Sequence, residues 1–201
     1  MENNKISMDE KKLLLKGYNH RLNNDLQALL AFIKLQRRFD VDDDEIINSA
    51  CVTIASISAV QNMIYNTEDS LNKISVGEFF EEFIKIINEY YSKFNINFSY
   101  ELKTNLLLNP KKVFHLMFLI NEMINLSLNF SFNDEIEGKI GWNLQKDGEE
   151  CVLQYSDNGS GIKETISGTD YRAMLFGQLI KQIDGNLESS DDNNISIRFN
   201  Q

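Results

Sequence analysis

From Asp9 to Asn66 the chain keeps apolar residues at helical spacing without a proline, and one acidic turn is the only break. Leu15, Leu22, Leu26, Leu29 and Ile33 predict a single long helix from about Asp9 to Phe39. The run Asp40-Val41-Asp42-Asp43-Asp44 predicts a turn in which Asp44 caps the next helix. That second helix, from about Glu45 to Asn66, rests on Ile47, Cys51, Ile54, Ile57, Val60, Ile64 and Tyr65. Two long helices joined by a short loop pack antiparallel. Such a hairpin is too thin to bury its own stripe, so pairing with a second copy into a four-helix bundle is expected, making the protein a homodimer.

The pattern turns polar between Glu68 and Lys73, which predicts two domains, residues 1–72 and 73–201. Beyond the boundary, helices and strands alternate. Ser75 to Tyr91 reads as a helix opened by a capping box of Ser75 and Glu78. Asn95 to Leu102 alternates Ile96, Phe98, Tyr100 and Leu102, the period of a half-buried strand. Asn109-Pro110 opens a strongly apolar helix to about Phe130, with the chain's one proline at the first helical position. Lys139–Gln145 and Glu150–Ser156 predict a hairpin around Asp147-Gly148. A glycine-rich loop, Asp157 to Gly168, precedes a helix from Tyr171 to Ile183 closed by Asp184-Gly185, and strands Asn186–Ser189 and Ile195–Phe199 finish the chain. The predicted class is α+β, a helical hairpin followed by a sandwich with helices on one face of a mixed sheet.

The formal net charge of −10 repels phosphate backbones, so nucleic acid is not an expected partner. Cys51 and Cys151 lie far apart and form no metal-spaced pattern, so no metal site is expected from them, and each is read as a reduced, small hydrophobe of a cytosolic fold. The polar start, Met1-Glu2-Asn3-Asn4-Lys5, is not that of a signal peptide. No uninterrupted apolar run approaches the ~20 residues of a membrane span. A cytoplasmic location without a membrane span is therefore expected.

At about 100° per residue, His20 falls roughly opposite Leu22, Leu26, Leu29 and Ile33, and shares its side with Lys16, Asn23, Asn24 and Gln27. Most surface histidines have no task, and position alone decides little. The wider stretch Lys12 to Gln36, KLLLKGYNHRLNNDLQALLAFIKLQ, resembles the phospho-acceptor box of one class of bacterial histidine kinases, H-R-x-K-N-N-L-Q followed by L-Q at the helix end. His20, Arg21, Asn24, Leu26, Gln27, Leu35 and Gln36 match, while Asn23 replaces the family lysine and Asp25 the second asparagine. The resemblance implies that His20 is a phospho-acceptor assisted by Arg21 and Asn24. In related kinases an amide or hydroxyl one turn after the histidine supports dephosphorylation of the response regulator; the alternative for Asn24 is a plain solvated helix residue. The chemistry agrees: a neutral imidazole is a nucleophile near neutral pH, and phosphoryl transfer asks chiefly for in-line positioning, which a rigid helix supplies.

The resemblance continues to the C-terminus and implies a Bergerat-type ATP-binding sandwich. Leu116 to Phe132, LMFLINEMINLSLNFSF, resembles the N-box, with Asn121, Glu122 and Asn125 matching and Asn125 at the family's magnesium position. Leu128 stands where a phosphate-contacting lysine is expected, and Asn129 where His or Tyr is usual. Tyr155 to Ile162, YSDNGSGI, resembles the D-N-G-x-G box, which assigns Asp157 to the adenine amino group and Gly159 and Gly161 to the turn beside it. The glycine loop whose amides would cradle the triphosphate reads Asp170-Tyr171-Arg172-Ala173 instead. Losing several hydrogen bonds to charge, at ~1.5–3 kcal/mol each, predicts at least about a thousandfold weaker ATP binding. ATP and magnesium are expected to bind weakly if at all, Asn125 being the one metal contact if they do. No cofactor is needed for phosphotransfer itself. His115 and Trp142 carry no functional expectation.

The leading reading is a two-component histidine phosphotransferase that exchanges a phosphoryl group on His20 with receiver domains of response regulators. The alternatives are a divergent soluble kinase that autophosphorylates His20 with ATP, and a pseudokinase that only docks a receiver.

Overall fold

A computed structural model describes residues 8–39, 41–66, 73–103, 105–132, 137–169, 171–191 and 193–201. By packing, the chain divides into two units, Met1–Val41 and Asp42–Gln201.

The first unit is one helix, α1 (Met8–Arg38), matching the predicted span within a residue at each end. Its apolar positions split over two faces. Leu29 and Phe32 are buried, in line with Asp25 and Gln36, whereas Leu26 and Leu30 on the neighbouring face stay 44% and 51% exposed. The Gln36 carbonyl closes the helix by accepting from the amides of Phe39 and Val41.

The second unit opens with α2 (Asp43–Asn66). Its cap is Asp42 rather than Asp44: the Asp42 Oδ1 accepts from the amides of Asp44 and Glu45 at 3.0 and 3.3 Å. A two-residue strand, β1 (Ile74–Ser75), leads into α3 (Val76–Tyr90), and β2 (Ile96–Leu102) and β3 (Leu107–Leu108) lead into α4 (Pro110–Leu126). The hairpin β4 (Gly138–Asp147) and β5 (Glu150–Asp157) is followed by a short α5 (Lys163–Ser167), then α6 (Tyr171–Gln182), β6 (Gly185–Ser190) and β7 (Asn194–Asn200). Five strands form one sheet in the order β2-β4-β5-β7-β6, with only β2 and β4 parallel. The separate β1–β3 pair is too short for periodicity to reveal. The unit is α+β, as the sequence predicts.

Packing places α2 on α4 and α3, so it joins the sheet-bearing unit rather than standing apart from it at residue 72. The polar boundary itself, residues 67–72, lies outside the described residues. α2 and α4 lie in the two stretches, Asp43–Tyr65 and Pro110–Ser131, with the length and mean hydropathy (1.3 each) of a membrane span. Scattered polar residues interrupt both, so neither forms the unbroken apolar run that the sequence lacks. For α4 the reason for this apolarity is its central place, since 83% of that window is buried within the fold.

α3 shows how sequence becomes packing. The Ser75 Oγ accepts from the Glu78 amide at 3.4 Å, the N-terminal half of the predicted capping box. The helix then buries Val76, Phe79, Phe80, Phe83, Ile86 and Ile87, a stripe at helical spacing. Phe80 and Phe83 meet Trp142 edge-on, each with ring centroids 5.9 Å apart, which fixes α3 to the middle of β4. Trp142→Ala is expected to lower the unfolding free energy by about 3–5 kcal/mol in a urea titration, and Ser75→Ala by about 1 kcal/mol.

Candidate functional site

In the first unit, α1 carries His20 and Asn24 one turn apart, both exposed. The Asn24 Nδ2 lies 3.2 Å from the His20 Nδ1. An amide offers a donor and an acceptor from nearly the same place. With its Oδ1 turned to the ring, it accepts from Nδ1–H and leaves the Nε2 lone pair free; with its Nδ2 turned, it donates to Nδ1. Asn24 can thus hold the imidazole in either tautomer, and the first leaves a nucleophile. Arg21 lies on the same helix, its side chain outside the described residues, and Asp25 is buried.

In the second unit, the asparagines of the N-box are buried, Asn121 at 2% and Asn125 at 3% exposure. Both are bonded within the protein. The Tyr91 hydroxyl sits 2.6 Å from the Asn125 Oδ1 and 3.0 Å from the Asn121 Oδ1. Both side-chain amides donate to the Ser49 Oγ of α2, each at 3.2 Å.

α4 runs on into a π-helical turn, Ser127–Ser131, and this turn meets the D-N-G-S-G loop. Ser131 and Ser127 donate their hydroxyls to the two carboxylate oxygens of Asp157 at 2.5 and 2.8 Å, and the Gly159 amide adds a third bond at 2.9 Å. The Ser131 carbonyl accepts from the Ser160 amide, and its hydroxyl from the Gly161 amide. A Cβ on Gly159 would lie 2.2 Å from the Ser131 carbonyl oxygen, so this approach admits glycine alone. Gly161 takes a positive φ of 86°.

Beside the asparagines, Glu122 is fully buried, and its Oε2 has no hydrogen-bond partner among the described residues. Burial, reinforced by the nearby Glu45 carboxylate and opposed by Arg172, pushes its pKa up to about 7. Burial also raises Glu45, against the pull of Arg172, whose guanidinium stands 4.0 Å away. Arg172 stacks over Phe130 at 4.4 Å. Tyr91 is raised by burial as well and stays a neutral donor.

A family profile described as histidine kinase matches residues 18–91. No curated protein matches the sequence at a significant level. Among solved structures, the histidine kinase domain of the Erythrobacter litoralis EL346 blue-light activated histidine kinase superposes with a TM-score of 0.64 at 13% identity, over 91% of this chain and 93% of its own. The EL346 blue-light activated histidine kinase gives 0.67 at 16% identity over 92% of this chain, which spans 62% of that protein. The catalytic domain of histidine kinase ThkA gives 0.51 at 14% identity, over 64% of this chain and 93% of its own.

The chain has the fold of a histidine kinase transmitter core.

Within the histidine kinase fold, the structure brings Asn121 and Asn125 together with Tyr91 and Ser49, and Asp157, Gly159 and Gly161 together with Ser127 and Ser131. These groups do not fit a nucleotide as they stand: the amides and the carboxylate that the motifs would offer are buried and bonded within the chain. Asp170, part of the altered phosphate loop, lies outside the described residues; Tyr171, Arg172 and Ala173 open α6. Tyr91 and Ser49 gave no sequence signal, since they act on asparagines 30 and 72 residues away. Ser127 and Ser131 did leave one, two hydroxyls spaced one turn apart at the end of the stretch that resembles the N-box.

Glu122 sets a pH dependence. Its folded pKa of about 7 lies above the 4.5 of the free side chain, so the folded state binds the extra proton. Its contribution is fully present below about pH 4.5 and is lost as pH rises through about 7, a total of about 3 kcal/mol. Urea unfolding of wild type and Glu122→Gln should therefore diverge over that window, wild type losing stability relative to the variant as pH rises.

Proposed function

We propose that the chain is a cytoplasmic, dimeric phosphorelay protein, a histidine phosphotransferase that exchanges a phosphoryl group on His20 with receiver domains of response regulators. The observation that carries the reading is the exposed imidazole with an amide one turn away, inside the segment matched by the histidine kinase profile. The inward-turned N-box and D-N-G-S-G side chains support a route that starts from an aspartyl phosphate rather than from ATP.

In this route the Nε2 lone pair attacks the phosphorus of the receiver's aspartyl phosphate. A P–N bond forms, the acyl P–O bond breaks, and the receiver's carboxylate leaves with the electron pair. The receiver's own acidic pocket and magnesium stabilise the transferring group, and Asn24 accepts from Nδ1–H as the ring becomes cationic. The reverse step passes the group to a second receiver. The exposed Leu26 and Leu30 of α1 and the exposed Ile47 and Ile54 of α2 support burial by a second copy.

The histidine kinase profile favours one rival, autophosphorylation of His20 by ATP. Two incubations separate the readings. A phosphorylated receiver should transfer acid-labile label to the wild type and none to His20→Ala, while labelled ATP with magnesium should leave the wild type unlabelled. Label from ATP on His20 makes the chain a kinase; no label from any receiver, with binding retained, leaves only docking. Asn24→Ala should slow transfer by about tenfold to a hundredfold, the loss of one hydrogen bond to a charged ring.

A further inference from the structure

The buried polar network of the second unit serves no step of the relay, yet it has one consistent target, the N-terminal half of α2. Ser49, which is fully buried, receives the side-chain amides of Asn121 and Asn125. One turn earlier on the helix, Glu45 is reached by Arg172 from α6 and by a hydrogen bond from Asn129 in the π-helical turn. Val52, Thr53, Ser56 and Val60 continue the same buried side of α2. Behind the asparagines, the Tyr91 hydroxyl holds both carbonyls, which aims both amide groups at Ser49.

We propose that α2 is bound here as an internal ligand: the face of α4 that resembles a nucleotide box is the seat of the chain's own second helix, and nucleotide and α2 exclude each other from it. The grounds are burial and packing: Asn121 and Asn125 are 2% and 3% exposed, and Ser49 lies directly against their amides. Asn121 and Asn125 can meet an outside group only if Ser49 withdraws, and Ser49 sits within a helix that cannot release one residue alone. The sheet-bearing unit then works as a clamp that fixes α2. This goes beyond the relay reading and does not depend on it, because the clamp holds whether or not His20 takes phosphate.

Hydrogen exchange of the full chain, read by peptide over residues 43–60 and over β4, β5 and β7, tests it. Ser49→Val and, independently, Tyr91→Phe should speed exchange in α2 by about tenfold or more while the sheet keeps its protection. Millimolar Mg-ATP should give wild type no saturable heat and leave α2 exchange unchanged. Two results overturn the proposal: α2 exchange unmoved in both variants, or saturable Mg-ATP binding to wild type with α2 still fully protected. Transfer of label to His20, measured on the same samples, reports on the relay separately.

Discussion

A helix buried on nearly every side cannot leave its polar side chains to water, and α4 is such a helix. An unpaired buried amide or hydroxyl costs on the order of 1–3 kcal/mol, and an unpaired charge more. Each polar residue that α4 carries inward therefore dictates something elsewhere in the fold. Lys112 reaches the carbonyl of Asn200 at the end of β7 and faces Asp184 at 3.8 Å. Asn121 and Asn125 require Tyr91 and Ser49, and so fix where the end of α3 and the start of α2 must lie. Ser127, which accepts from the Tyr155 hydroxyl, relays to Asp157 and ties the end of α4 to β5. Glu122 and His115 are the exceptions. Among the described residues the Glu122 Oε2 and the His115 Nδ1 have no partner; Glu122 meets the constraint by holding its proton to higher pH, and burial keeps the His115 imidazole neutral by pulling its pKa down to about 4.

His20 answers the opposite requirement. Its side chain is exposed, so its setting supplies orientation but not enclosure. One exposed amide at the next turn does this and takes no solvent away. The chain thus separates two uses of asparagine. On α1 an amide assists a group open to solvent; on α4 a pair of amides serves the interior. Residue type alone does not distinguish these uses, and exposure does.

The long helices, the β4–β5 hairpin and the alternating strand β2 were legible because each depends on a local period or a turn signal. Pro110 at the first turn and Ser75 before α3 marked helix starts for the same reason. Less legible was anything set by distant partners. The apolar residues of α1 read as one stripe, yet they divide over two faces, and Phe32 rather than Leu26 is buried. The turn after α6 falls at Asp184-Gly185 as expected, but which of the two turns left-handed was not legible: Asp184 does (φ 56°), while Gly185 passes close under the Arg198 carbonyl. At the candidate site the motif residues were found by resemblance. Their bonding to Ser49, Tyr91, Ser127 and Ser131 spans 26 to 76 residues of sequence and could not be read from it.

The π-helical turn explains how a nucleotide-like motif can keep its letters and lose its opening. Such turns are rare, mostly a single turn long and frequent at functional sites, and this one re-aims the residue at its end. Here that residue is Ser131. Its carbonyl and hydroxyl both accept from the D-N-G-S-G loop, and its hydroxyl proton goes to Asp157. The glycine required at position 159 is then explained by the closeness of Ser131 itself, with no ligand needed to account for it. Asn193 adds a strap from the neighbouring segment, donating to the carbonyls of Asp157 and Gly159. A loop tied down in this way is a strong structural joint, and opening it for a ligand would mean breaking several bonds at once. The same spelling, D-N-G-x-G, is compatible with an open binding loop or a closed joint, and the serines of the preceding helix end decide between them.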